Sequence, residues 1–459
     1  MKEKIWLVCV GLRNSEKLKM YNQEMSDYIK GVGMDNQVDG QIINSKPKRK
    51  IWKTILKIIA IPICLILFYI LATVAIRFVP AMDGLPPEDG DLLLTRIVNV
   101  TDRDNAYFEL IEANKVLDLT NQELQKVVDS LDGKSWDDNF VQSVLAKNDQ
   151  VLNTFDQVVQ KSNYQNPQLA NPGQLSPEVD LSPNGNFRKV ADLAALKSLY
   201  LLKQGRSIEA FDNNLKVIGL GQKIENSQGM IIDYLIGLSI KTTGLKVSRM
   251  IIKKADLSSQ DLRRYTDQLD SLKENGENIK RAYKMEYMHT VATTEFLLMG
   301  KKTNFLYEPN NTKEFFASLA RAEVASVDNK PYGVEVEPAK YNFSHWHSPI
   351  TTNFTRNAVG KIEFSISGVV LNTPVIRKNQ VDLLVGVNQL MLALKSYKLD
   401  NAVYPETLNQ LVPNYISSLP RDPFSESGQL LGYSKDKEEI YSSGHDHGLQ
   451  EDDLVFNFQ

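Results

Sequence analysis

The sequence predicts a mainly α-helical protein: one transmembrane helix, an exported helical array or bundle, and a small C-terminal α+β module. Three observations predict it. An uncharged apolar run lies near the N-terminus. Apolar residues recur at helical spacing through residues 187–300. A last helical pattern then leads into a turn-rich, acidic closing stretch.

The apolar run is Ile58 to Ile76, 19 residues without a charge. At about 1.5 Å per residue it nearly matches the ~30 Å hydrocarbon core of a bilayer. A core helix of that length would show a polar stripe, and this run has none. Lys46, Lys48, Arg49, Lys50, Lys53 and Lys57 precede it, while Asp83, Glu88, Asp89 and Asp91 follow. Lys and Arg mark the cytoplasmic side. The expectation is a single-pass protein of the inner, or cytoplasmic, membrane. Residues 1–50 form a cytoplasmic tail, 55–78 the span, and 80–459 lie outside the cytoplasm.

Charge supports the division. Residues 1–79 hold 13 Lys/Arg against 6 Asp/Glu, and the remainder 40 against 50. A mildly acidic body argues against a nucleic-acid partner, because phosphate binding needs a basic face. With 42% hydrophobic and 24% charged residues, most of the chain can build a core. The only cysteines are Cys9 and Cys64, so the exported part holds no disulfide or thiolate site. That usage is compatible with a bacterial envelope.

Beyond the span, residues 85–161 read as a helical region. Ala106, Leu110, Ile111 and Val116 form one apolar face, with Asp102 or Asp104 as the N-cap. Asp137 and Asp138 open another helix, carried by Phe140, Val141, Val144, Leu145, Val151, Leu152 and Phe155. Residues 162–186, rich in Asn, Gln, Ser and Pro, read as a linker or long surface loop. Residues 187–300 form the helical array. Two helices flank Gly205, and further helices are expected near 228–254, 259–273 and 276–299. Leu202, Gly205, Glu209 and Ala210 give the first hairpin a weak tetratricopeptide likeness, without a second copy at that period. Residues 301–375 read as irregular. A helix over 379–398 opens the closing module, 376–459.

Chemical motifs are sparse. No nucleophile elbow, phosphate loop or zinc-protease helix occurs. Gly219 and Gly221 sit inside a helical pattern and read as binding nothing. Four of the five histidines form two His-x-His pairs, His345/His347 and His445/His447. Alternate residues of a strand face the same way, so each pair suits either a metal ion or ordinary surface packing. His289 reads as packed or solvated. Asp446, Glu451, Asp452 and Asp453 crowd a loop with Gly444 and Gly448. Such hard oxygens suit Ca²⁺, and equally a solvated acidic tail.

The closing stretch adds a pattern. A helix ends in Tyr397 to Asn401, followed by Tyr404-Pro405, Leu408, Leu411-Val412-Pro413, Leu419-Pro420-Arg421-Asp422-Pro423 and Tyr433. Ser443-Gly444-His445-Asp446 and Asp452-Asp453-Leu454 close it. Residues 380–459 thereby resemble the globular domain of the major pseudopilin of bacterial type II secretion. The resemblance implies a long helix, a small antiparallel sheet and a calcium loop. Asp446 and Asp453 would be the carboxylate ligands, Asp452 an alternative, with carbonyls from Ser443 and Leu449. His447 stands where that family has glycine. The family's leader and peptidase site, and a span running directly into the globular domain, are not found here.

These readings predict a non-catalytic interaction or scaffold protein whose partners are the lipid bilayer and envelope proteins, near a secretion or pilus-like assembly. Calcium is the one expected cofactor. The alternatives are an exported metal-dependent hydrolase using His345 and His347, and a membrane-tethered binding protein for a peptide or envelope polymer.

Overall fold

A computed structural model describes residues 49–273, 276–299, 303–328, 354–367, 373–425, 427–442 and 455–458. The cytoplasmic tail, His345, His347 and the acidic loop of Asp446, Asp452 and Asp453 lie outside them. The chain divides into two units, Met1–Tyr69 and Ile70–Gln459.

Helix α1 (Arg49–Ala75) begins in the first unit. Ala60–Phe78 is long and apolar enough to cross a membrane, and its apolar side chains are exposed, Phe68 at 71%. The polar Thr73 hydroxyl donates to the Ile70 carbonyl at 2.8 Å, so it is satisfied within the helix.

Among the described residues, the second unit is helical with one small sheet. Its first helices are α2 (Ala106–Lys115), α3 (Asn121–Leu131), α4 (Asp138–Lys147) and α5 (Asp149–Gln160). Asn105, rather than Asp102 or Asp104, caps α2: its side chain accepts from Tyr107 N at 3.1 Å. The aspartates lie in a single 3-10 turn just upstream. Asp137 caps α4 as expected, accepting from Asn139 and Phe140. The apolar pattern that reads as one helix is broken at Asn148. Its side-chain amide is tied to both the N–H and the carbonyl of Asp118.

Residues 162–186 are largely irregular: Tyr164, Gln165, Asn166 and Leu169 are buried, while 173–182 stay exposed or half-buried. Gln165 exchanges two hydrogen bonds with Gln228, at 2.8 and 3.0 Å. Its backbone N–H donates to Asn105 Oδ1 at 2.9 Å. The amide-rich composition satisfies a buried, non-repetitive backbone over 163–172, and the remainder runs on as irregular chain at the surface.

The array comprises α6 (Asn184–Lys203), α7 (Ser207–Glu225), α8 (Ile231–Lys254) and α9 (Ser259–Asp270). Gly205, at φ +76°, turns the chain between α6 and α7. Helices α7 and α8 approach backbone to backbone. A Cβ on Gly221 would lie 2.7 Å from the Gly237 carbonyl, and one on Gly237 at 2.7 Å from Glu225 N. Gly221 is therefore the contact point of a helix pair. Buried beside it, Lys241 Nζ reaches Glu225 at 2.7 Å, Gln222 at 2.9 Å and the Leu272 carbonyl at 3.0 Å.

Helix α13 (Thr373–Asn401) packs along α8 and α9. Its Lys395 donates to the carbonyls of Ile252 and Ala255 at the end of α8, where a helix favours a cation. Apolar residues of α13 share one continuous core with α6 to α9. The closing module is thus built into the array rather than appended to it. After α13 comes a three-stranded antiparallel meander of β1 (Gly432–Ser434), β2 (Glu439–Tyr441) and β3 (Val455–Asn457), with Tyr433 opposite Ile440 and Ile440 opposite Phe456. The Tyr433 hydroxyl donates to the Pro405 carbonyl at 2.9 Å, and Tyr404 packs edge-on against Phe458.

Helices α10 (Glu277–Leu297), α11 (Pro309–Asp328) and α12 (Ala358–Ser367) carry a second core of Leu92, Tyr287, Phe316, Ala317, Leu319, Ala320 and Phe364. Two of these helices fall in the region read as irregular. Residues 79–92 lie across them as a strap. Asp83 accepts from the first-turn N–H groups of Asn310 and Asn311 at 3.1 and 3.0 Å. The Tyr287 hydroxyl donates to Asp89 at 2.6 Å, and Arg321 grips both oxygens of Asp91 at 3.0 Å. That guanidinium holds Asp91 below the usual carboxylate range.

Candidate functional site

The predicted site residues divide sharply. Asp446, Asp452 and Asp453, with His345, His347, His445 and His447, fall outside the described residues. The frame of the acidic loop is described. Tyr441 pairs with Val455, so residues 442–454 connect two hydrogen-bonded neighbouring strands. Ser442, the last described residue before the loop, donates to both oxygens of buried Asp422 at 2.9 and 2.8 Å. Asp422 also accepts from Phe424 N at 2.9 Å, which holds the Pro420–Pro423 turn closed. His289 is half-buried on α10, and burial lowers its pKa.

Among the grooves that open on the second unit, two differ sharply in charge. The first, of 560 Å³, runs between α13 and the Pro420–Pro423 turn. It carries Lys273, Asp328, Lys378, Asp382, Arg421 and Asp422. Most of these charges are already committed. Lys378 pairs with Asp382 at 2.7 Å, Asp328 with Lys280 at 2.7 Å, and Lys273 with Asp270 at 2.6 Å. Arg421 donates to the Gly428 carbonyl at 2.7 Å. The groove therefore presents a fixed, internally neutralised rim.

The second groove, of 510 Å³, is different. The C-terminal ends of α3, α6 and α8 build it, and Trp136, Lys134, Lys203, Met250 and Lys254 line it. Gly133, at φ +73°, ends α3 and lets Lys134 N donate to the Asp129 carbonyl at 2.9 Å. This reversal sends Trp136 back toward α6. The indole N–H donates to Asp138 at 2.7 Å, and Lys203 Nζ stands 5.3 Å from the ring centre. Lys134 is paired with Asp132 at 2.9 Å. Among the described residues, Lys203 and Lys254 have no carboxylate partner within salt-bridge distance, and both are exposed. Both end helices, where cations are favoured in any protein. Their convergence beside a half-buried Trp makes them a candidate site. The sequence held a faint sign of it: a Gly-Lys-Ser-Trp-Asp reversal and two helices ending in Lys.

The carboxyls with raised pKa line neither groove. Burial pushes Glu323 up to about 8, and nearby Glu286 adds to the rise. Glu286 is itself raised by burial, and accepts from Ile231 N at the start of α8. Asp233 is raised by burial, and accepts from Met230 N and Asn184. Burial lifts Asp192 to about 6 despite Arg188. These groups cap helices or sit between them. Among the described residues, no three His, Cys, Asp or Glu side chains are grouped to hold a metal ion.

Fold and grooves together define a mainly helical protein with one helix fit to span a membrane and a cationic, aromatic groove on its body. Comparisons with protein-family models, curated proteins and solved structures return no match.

Proposed function

We propose that this chain is a single-pass membrane protein whose helical body, outside the cytoplasm, is a non-catalytic interaction platform. The Trp136 groove is the seat for an acidic segment of an envelope partner. One observation carries this reading: Lys203 and Lys254 are free of carboxylate partners beside Trp136, whereas the charges of the larger groove are neutralised in place. Exposed, uncommitted cations around an aromatic face supply steering and specificity to an anionic partner. The basic flank before the span and the acidic residues after it support the orientation.

The test is photo-crosslinking from Ser135 in full-length protein, in native membranes, alongside binding of a labelled poly-glutamate peptide to the purified chain in nanodiscs. Lys203→Glu with Lys254→Glu should weaken peptide binding by ~10-fold or more and remove the crosslink, two charge reversals amounting to at least ~1.4 kcal/mol. Equal binding by the variant overturns the assignment.

The likeness to a pseudopilin domain belongs to this proposal, as does a place near a secretion or pilus-like assembly. Its support is the order of a long helix, a Tyr-Pro turn and an antiparallel meander. Calcium at Asp446, Asp453 and Asp452 is its finer part, supported by a loop whose two ends are pinned on neighbouring strands. Thermal melts of the full chain with Ca²⁺ and with chelator test it. A bound ion at 100 times its Kd adds about 2.7 kcal/mol, and an unchanged midpoint removes the metal.

A further inference from the structure

Several large apolar side chains stay exposed at one end of the second unit: Phe78 at 81%, Met82 at 72%, Phe296 at 51%, Leu297 at 56%, Met299 at 78% and Phe354 at 40%. Contacts within that unit tie the segments that carry them to one another. Phe305 N donates to the Val79 carbonyl at 3.0 Å, and Arg356 donates to the Met82 carbonyl. Asp83 caps the first turn of α11, and Asn310 donates to the Gly84 carbonyl at 2.8 Å. Lys313, just beyond that first turn, pairs with Glu295, one residue before Phe296. The last turn of α10 and the first turn of α11 therefore share the end of the hairpin where residues 79–84 attach.

We propose that this end is a membrane foot: Phe296, Leu297 and Met299 enter the headgroup region of the leaflet from which the span emerges. The inference rests on Ala60–Phe78 crossing the bilayer. Given that, Val79 lies at the hydrocarbon edge by construction, whichever way the span tilts. Met299 is six residues from Phe305, so the chain places it within ~22 Å of that edge at full extension. Apolar side chains clustered in that position gain burial by entering ~5–10 Å into the interface, where aromatic residues are favoured. A lipid surface is the occupant that the chain itself delivers to this patch, because Val79, the residue after the span, is hydrogen-bonded to Phe305, six residues beyond Met299.

The experiment uses full-length protein with Cys9→Ser and Cys64→Ser, carrying one fluorophore at a time on Leu297→Cys, Met299→Cys, Phe68→Cys in the span, or exposed Gln150→Cys on α5. Each is reconstituted in phosphatidylcholine nanodiscs without nitroxide, with lipids bearing a nitroxide near the headgroup, and with lipids bearing one deep in the acyl chain. The foot predicts headgroup-nitroxide quenching of Leu297→Cys and Met299→Cys at least about twofold above Gln150→Cys, with Phe68→Cys quenched by the acyl-chain nitroxide. If Phe68→Cys is quenched while positions 297 and 299 behave like 150, the foot is wrong and the span stands. If Phe68→Cys is not quenched, the span fails and the foot with it. Label-to-label contact at 299 between copies, without lipid quenching, overturns the foot in favour of a second copy of this chain.

Discussion

The α7–α8 hairpin and the strap of residues 79–92 are held by opposite means. The hairpin is buried, its backbones touching through Gly221 and Gly237, with Lys241 and Glu225 sealed inside at 0% exposure. The strap is largely exposed and has no regular structure beyond one 3-10 turn. It is fixed by a few charge-assisted bonds, from Asp83, Asp89 and Asp91, and by the buried Leu92. In the hairpin each change is transmitted to the whole core. In the strap a lost bond releases only the segment that made it, as local opening rather than global unfolding.

Breaking the buried pair is the severest test of that contrast. Lys241→Met leaves Glu225 charged in the core without its lysine and should cost ~3–5 kcal/mol of global stability. Chemical unfolding of the detergent-solubilised chain, followed by helical circular dichroism, reads it. Lys241→Met with Glu225→Leu should recover much of the loss, and a fully stable single variant would sink this account.

The platform beneath the strap offers the next effect, one that depends on pH. Glu323 has a folded pKa near 8 against an ordinary value of 4.5, so the folded chain holds its proton longer than the unfolded chain does. Its contribution is complete below about pH 4.5 and is lost as pH rises toward 8. Glu323→Gln should therefore flatten the fall in melting temperature between pH 5 and 8.5, leaving the variant more stable than the parent at the alkaline end. Parallel pH profiles would refute the burial argument.

Gly221→Ala separates packing from propensity. Helix propensity alone favours alanine by about 1 kcal/mol. A Cβ set 2.7 Å from the Gly237 carbonyl forces the helices apart, and overpacking of this kind costs ~1–3 kcal/mol. A net destabilisation in the same unfolding assay is expected, and a stabilised variant would show that the helices yield freely.

The smallest global effect belongs to the strap. Arg321→Ala removes the grip on Asp91, an exposed pair worth roughly 0.2–1 kcal/mol. Hydrogen exchange of residues 88–92 should accelerate while the unfolding midpoint hardly moves. A large midpoint shift would mean that strap and core unfold together.

How much of this was legible follows from the range of each signal. Gly205 and Asp137 act through neighbours within a few residues, and each turns or caps its helix where the sequence places it. Asn105 was hidden because the aspartates before it are equally good caps; the choice falls to Asn105 because it also accepts from Gln165, sixty residues away. Helices α11 and α12 were missed for a similar reason. Their apolar residues close against Leu92 and Tyr287, which lie far off in the chain. The Trp136 groove needs three helix ends to converge, and a sequence records each end separately.

The sequence by itself determined the apolar span, the helical class and most helix boundaries, because hydropathy, periodicity and capping are short-range properties. Tertiary structure alone decided what those helices do to one another. It made Gly221 a contact, turned an amide-rich stretch into packed chain, and merged the closing module with the array in one core. The physical reason is that burial is set by partners distant in sequence. A glycine, a lysine or a glutamine reads the same on paper whether it will face water or another backbone.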